Sequence, residues 1–144
     1  MAPKYLVDAD IEHGKQLVQE LDRQHVPFEA ALWAYRPESE RYELVIASRT
    51  VETEGIRPLY VKIRTALESL PETERVRIRD IAVTSPSRGI VAALKTAVNT
   101  PADAIASIRM TNNVVNRELI DDAYIYRMCV PHTVVSSDVS EPSE

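Results

Sequence analysis

The sequence predicts an α+β domain, a two-layer sandwich in which a mixed sheet of about five strands carries three helices on one face, in the order αββαβαββ. Two observations lead there. Apolar residues recur at helical spacing in three segments, and alternate with polar ones in about five others. Proline, glycine, asparagine and serine punctuate the junctions between them.

The first helix opens at Asp10, a side chain suited to accept from the free backbone donors of a helix start. Ile11, Gly14, Leu17, Val18 and Leu21 form its apolar face to about His25, and Pro27 ends it. Glycine on that face costs about 1 kcal/mol relative to alanine, so Gly14 is read as a point of close packing against a sheet.

Residues 28–35 and 41–49 alternate as a strand pair joined by Pro37, Glu38, Ser39 and Glu40. Both faces of this pair are partly apolar, which places it inside a sheet or under a partner. Residues 51–55 read as a polar connector. Pro58 fits the first turn of a second helix, whose stripe is Leu59, Tyr60, Ile63, Ala66, Leu67 and Leu70 and which Pro71 stops.

A strand from Val76, a turn through Thr84, Ser85, Pro86, Ser87, Arg88 and Gly89, and a helix reaching Val98 follow. Ser85 is the expected N-cap with Pro86 as the first helical residue, which places Arg88 in the first turn. Two further strands are read at 105–110 and 123–130, with Thr111, Asn112 and Asn113 as a turn and residues 114–120 able to extend either neighbour. Residues 1–134 form a single domain on this reading, and residues 135–144 a flexible acidic tail.

Charge is unevenly spread. The net charge is −5, yet residues 57–95 hold 8 basic and 4 acidic side chains. The balance disfavours attraction to an anionic membrane, and no run of 18 apolar residues marks a spanning helix. The N-terminus does not read as a secretory signal, and the one cysteine, Cys129, fits a reducing compartment, so the expected location is cytoplasmic.

Arg75, Arg77 and Arg79 project from one face of the expected strand at steps of about 7 Å, a spacing that suits contact with phosphates. Arg88 at a helix start opposes the helix dipole and calls for a carboxylate or a bound anion, and Ser87 would add a donor. The turn lacks the glycine spacing of a nucleotide-binding loop. Trp33, Tyr35, Tyr124 and Tyr126 lie on strands and would serve a protein interface wherever the sheet face is open.

Cys129 and His132 have no second ligand pair, so neither a metal nor any other cofactor is expected, and no acid, base or nucleophile stands out. The leading expectation is a non-catalytic interaction or accessory protein, with a protein partner or a second copy of itself on the open sheet face. The alternative is a nucleic-acid or phosphoanion binder using the arginines, and a third reading is an enzyme of unidentified class.

Overall fold

The computed structural model describes residues 6–130. A helix, α1 (Asp8–Arg23), precedes a hairpin of β1 (Ala30–Arg36) and β2 (Arg41–Ala47). The helices α2 (Thr50–Glu54) and α3 (Arg57–Glu68) lead to β3 (Ile81–Thr84), then α4 (Gly89–Leu94), β4 (Ile108–Val115) and β5 (Glu118–Met128). The expected element order is present, with α2 formed where a connector is read. The expected acidic tail lies outside the described residues.

The sheet is mixed and runs β3-β2-β1-β5-β4. β1 is antiparallel to β2 and to β5, β4 to β5, and β2 and β3 are parallel. β1 is therefore central, which accounts for its apolar residues on both faces.

The helices do not share one face. Leu17, Val18 and Leu21 of α1 and Leu59 and Ile63 of α3 pack with Ala31, Trp33, Leu44, Ile46 and Tyr126. On the opposite side Ile90, Val91 and Leu94 of α4 pack with Leu32, Val45, Ile125 and Met128. This corrects the two-layer expectation: the sheet face on which a second copy was to sit is occupied by α4. Each fully buried Leu, Ile or Val side chain contributes about 1.5–3 kcal/mol, so both faces hold the domain together.

α1 starts earlier than Asp10 suggests. Val7 is its N-cap, and the Asp10 carboxylate accepts from the Val7 N–H at 3.4 Å. Further along, Gly14 meets the sheet as expected. Trp33 Nε1 donates to Tyr126 Oη at 3.0 Å, and Tyr126 Oη donates to the carbonyl of Ile11 at 2.6 Å. A Cβ on Gly14 would collide with Tyr126 Oη and stand 2.7 Å from Trp33 Nε1.

At the other end of α1, Arg127 is buried, with 2% of its surface exposed. Its guanidinium donates to both carboxylate oxygens of Asp22 at 2.8 and 2.9 Å and to the carbonyl of Ala104 at 3.1 and 2.9 Å, and lies 4.9 Å from the Phe28 ring centre. One side chain thus joins β5, the last turn of α1 and the segment before β4.

The expected turn at Thr111, Asn112 and Asn113 is strand, since Thr111 pairs with Asp122 and Asn113 with Ile120. The reversal lies at Asn116 and Arg117, whose φ values of 50° and 70° suit a two-residue hairpin turn. Asn112, within β4, also has positive φ, at 50°.

Candidate anion-binding cleft

The arginines of the middle segment are not on a strand. Residues 75–77 are extended without a sheet partner among the described residues, a 3-10 turn spans Ile78–Asp80, and the strand begins at Ile81. Val76 is buried and pins the segment to the core, while Arg77 and Arg79 are exposed and Arg75 half-buried. The regular spacing expected of three alternating arginines ends at the 3-10 turn.

The fold nevertheless gathers them. A cleft of about 530 Å³ is lined by Arg41, Arg75, Arg77 and Arg79 together with Asp80, and by Asp10 and His13 of α1, Trp33 of β1 and Tyr42 of β2 on its other sides. The parallel pairing of Leu44 with Ile81 is the cause, because it sets the residues before Ile81 beside the start of β2. Arg41 is neutralised there by Asp80 at 2.6 Å, and Arg75 Nε donates to the carbonyl of Leu70 at 2.9 Å. Among the described residues, Arg77 and Arg79 have no ion-pair partner. Arg41 and His13 carry no sequence signal for this site, since their part in it depends on strand order and helix placement.

Tyr42 borders the cleft and ties β2 to β5 across the intervening β1. Its hydroxyl donates to Asp122 at 2.5 Å, and Arg109 holds the same carboxylate through two bonds of 2.6 and 2.7 Å. Burial, reinforced by the Asp122 carboxylate, pushes the Tyr42 hydroxyl up to about 12. Burial alone would raise the Asp122 carboxyl, but the bonds from Arg109 and Tyr42 outweigh it and hold it below the usual carboxylate range.

A raised tyrosine pKa stabilises the fold below its ordinary value of 10, and the contribution is lost as pH rises through 12. Tyr42→Phe is therefore expected to lower stability most at neutral pH. In urea melts at increasing pH the gap between the two proteins should narrow from 10 to 12, and a constant gap would refute the assignment.

Ser87 and Arg88 are not part of the cleft. Ser85 and Ser87 both donate to Glu52 of α2, at 2.6 and 3.0 Å, and these two bonds hold its carboxyl below the usual range. Ser85 also accepts from the Ser87 N–H at 3.1 Å, closing the turn. It does not cap the helix. Arg88 occupies the N-cap position, exposed, and α4 begins at Gly89. Glu52 thus meets the hydroxyls of Ser85 and Ser87, while Arg88 has no ion-pair partner among the described residues.

The aromatic residues expected at an interface divide as well. Trp33 and Tyr126 are buried under α1, with 4% and 1% of their surfaces exposed, while Tyr35 and Tyr124 are half-buried. Strand order explains this, since β1 and β5 are adjacent and both lie under the first helix.

Fold and cleft together define a small α+β domain with an arginine-lined cavity on the face that α1 and α3 cover. Comparison with protein-family models, with curated proteins and with solved structures finds no match. No helix among the described residues is long and apolar enough to cross a membrane.

Proposed function

We propose that the protein is a non-catalytic binding protein that takes a phosphorylated anion in the cleft between α1 and residues 73–80. The observation that carries this reading is the pair Arg77 and Arg79, exposed, without ion-pair partners among the described residues, and lining one cavity with Arg41 and Arg75. A bound phosphate would supply the acceptors that these guanidinium groups lack, and arginine forks match phosphate oxygens in geometry. The cavity volume of about 530 Å³ is within the usual range for small-ligand sites.

The interaction-protein reading draws less support, because Trp33 and Tyr126 are packed inside the domain and α4 covers the second sheet face. Nucleic acid as the ligand also draws less support, because the chain carries a net charge of −5 and the rings of Trp33 and Tyr126 are buried.

Titration calorimetry with inorganic pyrophosphate at low salt tests the proposal. The protein should bind, and Arg77→Ala/Arg79→Ala should weaken binding by about tenfold or more, as expected for two charge-assisted contacts. Binding should also weaken as salt is added. Absence of binding, or equal binding by the double variant, would exclude this role for the cleft.

A further inference from the structure

A second cavity, of about 480 Å³, adjoins the first and is lined by Arg64, Leu67, Glu68, Glu72, Arg75, Val76, Arg77 and Ile78. Arg75, Val76 and Arg77 line both cavities, so residues 75–77 form a shared wall. In this extended segment alternate side chains project together, which leaves Arg75 and Arg77 about 7 Å apart on the side opposite the buried Val76. Beyond the wall, α3 supplies Arg64, exposed and without an ion-pair partner among the described residues. Arg79, Arg77, Arg75 and Arg64 thus border two adjoining hollows, with Glu68 and Glu72 in the second.

Resting on the binding reading above, we infer that the ligand is a linear chain of phosphates that enters the first cavity, crosses the Arg75 and Arg77 wall and ends beside Arg64. A single phosphate would engage one side of the wall and leave Arg64 unused. A chain meets the arginines in turn, and each added contact is intramolecular once the first is made. Its recognition is by charge. Trp33, although it lines the first cavity, is only 4% exposed and so presents little ring surface on which a base could stack.

Pyrophosphate, tripolyphosphate and a long-chain polyphosphate titrated into the full chain provide the test, alongside an oligothymidine of matched charge. Affinity should rise at each step in chain length. Arg64→Glu should weaken the long chain by about tenfold while changing pyrophosphate by less than about twofold, and Glu68→Gln should strengthen the long chain alone. Circular dichroism melts of these surface variants check that folding is unaltered.

Pyrophosphate binding that depends on Arg77 and Arg79 but does not strengthen with length, or that Arg64→Glu weakens as much as the long chain, would overturn the extended site and leave the cleft reading standing. No binding of any phosphate would overturn both. Tighter binding of the oligothymidine than of the polyphosphate would replace a phosphate chain by a nucleic acid read through its bases.

Discussion

Replacing Asp22 by asparagine should destabilise the protein more than replacing Arg127 by methionine. The two partners differ in what each leaves behind. Arg127 is 2% exposed, whereas the Asp22 side chain is 40% exposed. Asp22→Asn leaves a guanidinium in the interior without its countercharge, with one amide oxygen, the Ala104 carbonyl and the Phe28 ring as its remaining partners. Breaking a buried pair in this way costs about 3–5 kcal/mol. Arg127→Met removes the buried charge, keeps much of the packed volume and leaves a carboxylate that water reaches, so a loss of about 1–3 kcal/mol is expected. Urea unfolding of the two variants decides the order, and an equal or reversed ranking would contradict the account of the buried charge.

Gly14→Ala is the second large effect. On an exposed helix this change would stabilise by about 1 kcal/mol through propensity. Here the added methyl would meet the Tyr126 hydroxyl and the Trp33 indole nitrogen, two rigid rings joined by a hydrogen bond that itself hangs on the Ile11 carbonyl. Overpacking costs about 1–3 kcal/mol, and separating the rings leaves a buried donor unpaired for about 1–3 kcal/mol more. A net loss of roughly 2–4 kcal/mol is therefore expected, seen as a clear fall in the thermal midpoint. An unchanged midpoint would mean that α1 moves off the sheet at little cost.

Periodicity made the elements legible and left their arrangement hidden. The stripe through Leu17, Val18 and Leu21 and the alternation around Trp33 are local patterns, and they survive as α1 and β1. Which face each helix covers depends on strand order, and nothing local distinguishes the partner of Ile90 from that of Leu17. Gly14 was readable because its cost in a helix demands a reason. Arg127 was not, since an alternating strand residue carries no mark of the carboxylate 105 residues away that it holds.

The cleft shows the same division. Arg75, Arg77 and Arg79 could be found by charge density, yet their expected strand is an extended segment followed by a 3-10 turn. Arg41 and His13 join them only through the pairing of β2 with β3 and the position of α1. Ser87 looked free to hold an anion because the carboxylate it binds together with Ser85, Glu52, lies 33 residues from Ser85 in the chain.

The central place of β1 also shapes how the chain is made. β1 and β2 form a local hairpin, but the other edge of β1 waits for β5, and Trp33 meets Tyr126 across 93 residues. During synthesis that edge stays open until almost the whole described chain has emerged. Closing so long a loop is slow, and an apolar strand with one free side is the kind of surface that draws neighbouring chains. Completion of this domain is thus timed by its last strand, and a nascent chain halted before β5 would expose its own centre.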